Sequence, residues 1–353
     1  MQVNRSLAQS VRELMPGKRN NGPNDRPVSF WKEMDRISGK PEKTAVVIFR
    51  TRGCSWYNFS SCSMCGYFND VSDSVTAADL RKQVDFVLDQ IDDIKSIKVF
   101  TSGSFLDPLE VPPEVRNYFM ETVGERMSRV LIESRTEYLT GRNLEGIGRY
   151  AGTTRIAIGV ESTDDSIIAN SINKGTSYNK FLDAATTARK MGFETRSYLL
   201  LKPPFISELS AIRDVVRSVS MVSAYSNDVS INPMNIQRNT LVEKLWKNGQ
   251  YRPPRLWSLA DAILQSTDFG TEVVSYPTAG NRERGVHNDE PDANLLELIV
   301  QASLNQDFGE LKRYFEGADL SAYRQELEAE AAQPYQVDFH RMANKISSGS
   351  FFI

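Results

Sequence analysis

Three cysteines are the residues of this chain whose type and spacing could do chemistry. Cys54, Cys62 and Cys65 are the only thiols among the 353 residues, and they fall within twelve positions in the spacing C-x7-C-x2-C. Gly, Ser, Asn and aromatic residues surround them without hydrophobic periodicity, which is typical of a loop folded around a ligand. Three thiolates can bind three corners of an iron–sulfur cube, whereas an electron-transfer cluster normally has four protein ligands. The spacing therefore indicates a [4Fe-4S] cluster with one open iron.

An open iron is suited to S-adenosylmethionine as a second cofactor. The amino and carboxylate groups of this molecule can chelate the iron and place the sulfonium beside the cluster for one-electron cleavage. In such a site the protein supplies binding and orientation, while the cofactors carry the radical chemistry.

A zinc site, a disulfide and simple burial are competing roles for the cysteines. A structural zinc site needs four N or S ligands, and the two histidines, His287 and His340, lie more than two hundred residues away. A disulfide would leave one thiol over, and nothing in the sequence indicates an oxidising compartment. Free cysteines are also often simply buried in a core. All three roles stay open, but the ligand count and the loop composition favour the iron–sulfur cluster.

The surrounding elements alternate between strands and helices. Thr44–Phe49 is a nearly continuous apolar run, as in a strand buried on both faces, and the cysteine loop follows it directly. After the loop, Thr76-x-x-Asp79 is a capping signal that predicts the start of a helix. Further strands are predicted at 97–101, 130–133, 154–160, 196–201, 228–233 and, less regularly, 271–275, with helices at 178–191 and 211–222. This alternation predicts an α/β fold, a partial (β/α)6 barrel.

The sequence predicts three regions. Residues 1–40 read as a basic irregular leader with one short helix near Trp31. Residues 41–240 form the partial barrel, and residues 241–353 form a helix-rich C-terminal extension that completes the barrel and covers the substrate side. Residues 1–52 hold 11 Lys/Arg against 5 Asp/Glu in a chain of net charge −3. A basic leader suits either a nucleic-acid arm or a solvated segment.

Composition excludes a membrane protein. The 40% hydrophobic and 25% charged fractions are those of a soluble globular chain. No stretch approaches the ~20 apolar residues of a membrane span, and the first residues lack an apolar signal core. A cytoplasmic protein is expected.

Polar residues at the predicted strand ends could bind S-adenosylmethionine, since chemistry in (β/α) barrels lies at the carboxyl ends of the strands. Small residues after the second strand would bring backbone N–H and C=O groups close to a ligand. Carboxylates can accept ribose hydroxyls, and an arginine can grip a carboxylate. Salt bridges that close the barrel top are the alternative. The predicted cofactor-binding residues are Ser102, Gly103, Ser104, Glu133, Arg135, Glu161 and Ser162.

Two residues of the cysteine loop and five later residues complete the predicted site. Met64 and Tyr67 are expected to pack against the adenine, and nearby aromatic rings to shield the cluster from water. The substrate side is predicted to involve Arg196, Lys202, Asn232, Asn235 and His287. The alternative role for His287 is that of a structural histidine, hydrogen-bonded beneath a loop.

Four motifs together resemble the radical SAM proteins related to the elongator catalytic subunit: Met64-Cys-Gly-Tyr67, Thr101-Ser-Gly-Ser-Phe105, Ile132-Glu-Ser-Arg135 and Gly159-Val-Glu-Ser162. Within that group, residues 40–290 resemble the archaeosine-synthase radical SAM subunits, and the similarity includes Arg284-Gly-Val-His-Asn288. The wide C-x7-C spacing departs from the common C-x3-C-x2-C and fits this subgroup. Relatives can carry further cysteines after the His-Asn pair. This chain has Asp289 and Asp292 there, so no second cluster is expected.

The resemblance implies a specific reaction. In that family a partner enzyme joins lysine, through its side-chain nitrogen, to 7-cyano-7-deazaguanine in the tRNA D-loop. The radical SAM subunit then cleaves a C–N bond of the lysine-derived chain, after a 5′-deoxyadenosyl radical abstracts a hydrogen, and leaves the formamidine of archaeosine. The implied partners are the lysine-modified tRNA, the lysine-transferring archaeosine synthase subunit and an external electron donor.

Two alternatives to this reaction remain. One is a radical SAM enzyme that acts on another tRNA base or on a small molecule. The other is a non-catalytic metal-cluster scaffold of a tRNA-modification complex, which would have no use for groups that bind S-adenosylmethionine. No acetyltransferase-like segment is evident, which argues against the elongator activity itself.

Overall fold

An eight-stranded curled sheet forms the centre of the protein, in a computed structural model that describes residues 4–15 and 22–332. The strands lie side by side in chain order. Strands β2 to β8 run parallel, whereas β1 is antiparallel to β2. The strands are β1 (Ser29–Asp35), β2 (Glu42–Ile48), β3 (Ser96–Phe100), β4 (Arg129–Ser134), β5 (Thr154–Glu161), β6 (Glu194–Leu201), β7 (Asp228–Pro233) and β8 (Glu272–Val274).

The predicted α/β partial barrel is confirmed, and every predicted strand lies within two residues of an observed one. The additional strand expected near residue 271 is β8. Arg36, just after β1, bonds Glu272 at the start of β8 at 2.7 Å. Asp35 reaches across to Lys98 of β3 at 2.6 Å. The Arg36–Glu272 pair connects the two edges of the curled sheet, and the Asp35–Lys98 pair connects β1 with β3.

The leader differs from its prediction. The helix expected near Trp31 is wrong, because Trp31 lies in β1, which pairs with β2 from Ser29–Ile48 to Asp35–Glu42. A boundary at residue 41 would therefore separate two paired strands. The helix of the leader is α1 (Arg5–Leu14), capped by the side chain of Asn4. Residues 1–3 and 16–21 of the leader lie outside the described residues.

Helices connect the strands. Thr76 and Asp79 form the predicted capping box at the start of the helix after the cysteine loop. The α-helices are α1, α2 (Ser55–Phe59), α3 (Ala77–Leu88), α4 (Pro113–Thr122), α5 (Gly141–Glu145), α6 (Asp165–Ile167), α7 (Tyr178–Lys190), α8 (Glu208–Val222), α9 (Leu241–Lys247), α10 (Leu256–Leu264), α11 (Ala293–Asn305), α12 (Gly309–Gly317) and α13 (Ser321–Ala331). Short 3-10 turns lie at 67–70, 124–126, 136–138, 148–153 and 223–225, and a π-helical turn at 168–172.

The C-terminal region packs onto the barrel. Helix α10 contacts α8, α11 contacts β8, and α13 contacts α8. Val273 of β8 is buried in the same core as Leu256, Leu295 and Leu327 of these helices. Residues 333–353 of the expected extension, which include His340, lie outside the described residues. None of the described helices is long and apolar enough to span a bilayer.

Candidate cluster and cofactor site

The cysteine loop lies against the segment that follows β5. Trp56 packs on Gly175, where a Cβ would lie 2.4 Å from the indole ring, and its Nε1 donates to the carbonyl of Asn173 at 2.8 Å. The side-chain amide of Asn173 donates to the carbonyl of Ser61 at 2.7 Å. Asn173 ends the π-helical turn Ile168–Ile172 in a left-handed conformation. Such π-turns are frequent at functional sites. Here the turn serves as a platform for the loop.

Two glycines allow the loop to approach its other neighbours. A Cβ at Gly103, in the turn after β3, would lie 2.6 Å from the Cβ of Cys54. A Cβ at Gly66 would lie 2.7 Å from the Cβ of Gln237, after β7, and the Gly66 amide donates to the side chain of Gln237. The cysteine loop is therefore held between the ends of β3, β5 and β7.

The three cysteines are half-buried, and cations lie close to them. Burial raises the pKa of the Cys62 thiol to about 12, although Lys174 and Arg135 oppose that rise. Burial likewise raises the pKa of Cys65, and the thiol of Cys62 adds to the effect. Binding of a metal would convert such thiols to thiolates, because coordination deprotonates a thiol. Neighbouring cations favour an anionic cluster at the same place.

The barrel interior beside the thiols carries charges of both signs. Lys174 Nζ lies 2.5 Å from Glu161, and Gly159 makes room for it, since a Cβ there would be 2.2 Å from Nζ. Glu161 stands at a bulge of β5 with φ +66°. Burial raises the pKa of Glu133 to about 8, with Lys174 opposing and Glu161 adding to the shift. This group can contact a ligand that has both a cation and an anion.

Lys174 was missed from the sequence. It is the single basic residue between β5 and α7, and its place after a predicted strand is the feature of the sequence that could have identified it. Its side chain is buried, and its ion pair joins the loop after β5 to the end of the strand.

Arg135 lies beside the loop, as expected, but it has protein partners. Its guanidinium lies 5.6 Å from the ring centre of Trp56 and bonds Glu137 at 2.6 Å. It also donates to the carbonyl of Lys174 at 3.1 Å. Ser162 does not join the group, because its hydroxyl bonds Asp214 of α8 at 3.0 Å. The salt-bridge alternative therefore applies at least to Arg135.

The turn after β3 is organised by Glu110, which sequence reasoning also missed. Its Oε1 accepts from the amides of Ser102 at 2.8 Å and Gly103 at 3.1 Å, and its Oε2 from the amide of Ser104 at 2.6 Å. Oε1 also accepts from the Thr51 hydroxyl at 2.8 Å. The expectation that the N–H groups of this turn face a ligand is contradicted, because Glu110 occupies them. The turn can offer a ligand its carbonyl oxygens.

Met64 and Tyr67 flank the third cysteine on different sides. Met64 packs, with Cys62, against an apolar cluster formed by Ile172, Leu200, Met234, Ile236 and Val242. The Tyr67 side chain is 48% exposed. Although the residue is partly exposed, protein surrounds its phenol, and desolvation of the phenol, together with the charges of Glu133 and Glu161, raises its pKa. Tyr67 thus lies at the open side of the charged interior, and Met64 on its apolar side.

Comparison with known proteins decides the family. Residues 48–215 match the Radical SAM superfamily. The chain is 38% identical over 275 residues to "Archaeosine synthase subunit beta" of Methanosarcina acetivorans, which covers 75% of this chain and 80% of that protein. It is 32% identical over 300 residues to "Archaeosine synthase subunit beta" of Thermococcus kodakarensis, which covers 79% of this chain and 90% of that protein. The chain belongs to the archaeosine synthase subunit beta family.

A more distant similarity connects the chain to elongator proteins. It is 24% identical over 203 residues to "Elongator complex protein 3" of Mus musculus, which covers 50% of this chain and 36% of that protein. Both resemblances inferred from the four motifs are therefore confirmed.

Family membership makes the chain a radical SAM enzyme with a [4Fe-4S] cluster and S-adenosylmethionine as cofactors. The residues present fit the cluster, because three thiols lie on one loop beside two cations. Among the described residues, no three His, Cys, Asp or Glu side chains form a group that could hold a metal ion. Each iron of a cube needs only one thiolate, so the three cysteines need not converge on a single ion. Cys54, Cys62 and Cys65 would bind the cluster.

Two of the predicted substrate residues form ion pairs with carboxylates of the protein. Arg196 is 2% exposed and bonds Asp228 at 2.5 Å, at the end of the barrel where the strands begin. Lys202 is 2% exposed and lies 2.9 Å from Glu208 and 3.3 Å from Glu330. The expectation that these cations line the substrate side is contradicted by their burial against carboxylates.

The other substrate candidates stay predictions. Asn232 accepts from the Ser230 hydroxyl at 3.0 Å near the end of β7, and Asn235 is half-buried just beyond it. The Nδ1 of His287 lies 2.7 Å from the carbonyl of Gly285 in its own loop.

Asp289 and Asp292, which follow the His287-Asn288 pair, both contact other residues of the protein. Asp289 pairs with Arg255 at 2.6 Å. Asp292 caps α11 by accepting from the amide of Leu295 at 2.8 Å. Both carboxylates therefore have protein partners.

Proposed function

We propose that this chain completes archaeosine in tRNA by cleaving the C–N bond of a lysine-derived side chain on a 7-deazaguanine base. The observation that carries the proposal is the 38% identity to "Archaeosine synthase subunit beta", which extends over 80% of that protein. The substrate is a tRNA in which lysine is joined to the base through its side-chain nitrogen. The products are the formamidine of archaeosine and a lysine-derived fragment.

The protein's own part in this reaction is binding and positioning. When bound, the cluster and S-adenosylmethionine supply a 5′-deoxyadenosyl radical, which takes a hydrogen atom from the lysyl chain. Cys54, Cys62 and Cys65 bind the cluster. Trp56 and the π-helical turn hold the cysteine loop in one conformation and keep water from its inner side.

The charged interior suits the molecules that must meet there. S-adenosylmethionine ends in an α-amino acid, and so does a lysine joined through its side chain. Each presents an ammonium and a carboxylate. An ammonium bound beside Glu133 would favour the charged form of this carboxyl, which burial otherwise disfavours, and Lys174 offers a cation to a carboxylate. The position of the adenosine determines which amino acid end, that of S-adenosylmethionine or that of the lysyl chain, Glu133 and Lys174 each contact.

Partners follow from the same proposal. The relative is named as a subunit beta, so we propose a companion subunit that transfers lysine to the base before this chain acts. An external donor supplies the electron that reduces the cluster. The reaction takes place in the cytoplasm, where tRNA is modified.

The test is anaerobic reconstitution with iron and sulfide, reduction, and addition of S-adenosylmethionine with lysine-adduct tRNA, unmodified tRNA or no tRNA. The proposal expects 5′-deoxyadenosine to rise strongly with adduct tRNA alone, and archaeosine to be found after nuclease digestion. Cys62→Ala is the inactive control. Cleavage of S-adenosylmethionine regardless of tRNA would point to another substrate. A cluster that neither binds nor cleaves S-adenosylmethionine would point to a scaffold.

A further inference from the structure

A single buried carboxylate connects the two segments that meet at Cys54. Glu110 is 1% exposed and lies between β3 and α4. It accepts from the three consecutive amides of the Ser102–Ser104 turn. It also accepts from the hydroxyl of Thr51, on the stem that leads into the cysteine loop. One side chain therefore touches both the turn after β3 and the start of the loop.

The connection continues to the first cysteine from both sides. The Thr51 hydroxyl oxygen also accepts from the amide of Gly53 at 3.1 Å, immediately before Cys54. On the other side, Gly103 lies against the Cα, Cβ and Sγ of Cys54. The position of Cys54 relative to the turn is thus set by contacts that converge on Glu110.

We propose that Glu110 is a positioning residue, which fixes the turn after β3 against Cys54 and makes that turn selective for the ammonium group of S-adenosylmethionine. The inference rests on the binding of S-adenosylmethionine and not on the tRNA reaction. Failure of the proposed lyase reaction would leave it standing.

The chemistry of the turn explains the selectivity. The three amides donate to Glu110 and the Ser104 carbonyl accepts from the amide of Asp107, so the backbone of the turn can offer a ligand the carbonyl oxygens of Ser102 and Gly103, which only accept hydrogen bonds. A ligand group that binds there must donate, as an ammonium does. Burial raises the pKa of Glu110 to about 7, and a cation bound nearby favours its charged form, because charges interact strongly away from water. Both carboxylate oxygens of Glu110 take part in holding the turn, because Oε2 accepts from the Ser104 amide while Oε1 accepts from the other two amides.

Glu110→Gln is the variant that separates charge from shape. Glutamine has nearly the same size, but it is neutral and replaces one acceptor oxygen by an NH2 donor that would face an amide. Glu114→Gln, an exposed position in the first turn of α4, is the matched control. Thr51→Val removes the hydrogen bond to Glu110 and the one from the Gly53 amide, but leaves the three amide bonds of the turn in place.

The measurement uses the full-length reconstituted enzyme without tRNA. Iron and sulfide content report the cluster, and the change in the electron paramagnetic resonance spectrum of the reduced cluster reports binding. Dissociation constants are measured for S-adenosylmethionine and for its analogue without the amino group. Their ratio measures how strongly the ammonium is recognised.

We expect Glu110→Gln to keep its cluster and to lower that ratio by about tenfold, whereas Glu114→Gln leaves it unchanged. Thr51→Val should change the spectrum of the reduced cluster more than the ratio. An unchanged ratio in a folded, cluster-bearing Glu110→Gln protein would overturn the inference.

Discussion

Gly103 lies so close to Cys54 that a side chain of even one carbon would place its Cβ 2.6 Å from the cysteine Cβ and 2.8 Å from Sγ. The first cluster ligand and the turn that follows β3 are therefore in direct contact. Neither can move without the other.

Gly103→Ala should damage the cofactor site. The added methyl must displace either the turn or Cys54, because real Cβ atoms do not approach that closely. We expect reduced iron content after reconstitution and at least tenfold weaker binding of S-adenosylmethionine, about 1.4 kcal/mol or more. Gly148→Ala is the matched control, since nothing lies within 4 Å of a Cβ at that position. Normal iron content and normal binding in Gly103→Ala would show that the turn yields easily.

Lys174→Met should lower both stability and activity, and a second substitution should recover only the stability. Removing the cation leaves Glu161 buried without its partner, so the free energy of unfolding should fall by about 3 kcal/mol. Lys174→Met combined with Glu161→Gln should recover much of that stability, as a double-mutant cycle measures. We expect 5′-deoxyadenosine formation to stay low in the double variant. Lys190→Met, exposed at the end of α7, is the control, and a fully active double variant would limit this ion pair to a structural role.

Trp56→Ala should loosen the cysteine loop. It removes the packing on Gly175 and the hydrogen bond to Asn173, and loss of a large buried aromatic side chain typically costs about 3–5 kcal/mol. We expect the cluster absorbance to decay several times faster in air than in the wild type. Phe59→Ala is the comparison, because Phe59 belongs to the same loop and is 68% exposed. Equal decay in the two variants would contradict the platform role of the π-helical turn.

Glu208 should make stability depend on pH below about 4.5. Desolvation alone would raise its pKa, but Lys202 and Arg252 outweigh that effect and lower the pKa to about 2 from 4.5. Because the folded-state pKa is the lower one, this carboxylate stabilises the fold fully above about pH 4.5, and the stabilisation is lost as the pH falls towards 2. Denaturant unfolding of the wild type should therefore weaken steeply across this window.

Glu208→Gln tests the assignment. At neutral pH it leaves the buried Lys202 short of its counter-charge, so we expect a loss of about 3–5 kcal/mol. Below pH 4.5 its stability should change less with pH than that of the wild type. Glu328→Gln, an exposed position on α13, should keep the wild-type pH profile. Parallel profiles for Glu208→Gln and the wild type would rule out Glu208 as the source of the acid sensitivity.

Local pattern was enough to predict most of the framework. The strands and the α3 capping box could be read from the chain because apolar runs and caps depend on residues a few positions apart. Helix α1 was missed, although Asn4 could have been recognised as its cap. Its apolar residues pack against Phe205 and Leu241, and nothing near residue 10 in the chain announces those partners.

The sequence by itself determined the chemistry class, because three cysteines on one loop without a fourth ligand restrict what can bind there. It also determined the strands that bring the site together. Only the tertiary structure decided which charges serve that site. Lys174 and Glu110 acquire their roles from groups on other segments, whereas Arg196 and Lys202 are neutralised by Asp228 and Glu208. The charge state and the role of an ionisable side chain depend on the groups that surround it after folding, and those groups come from distant parts of the chain.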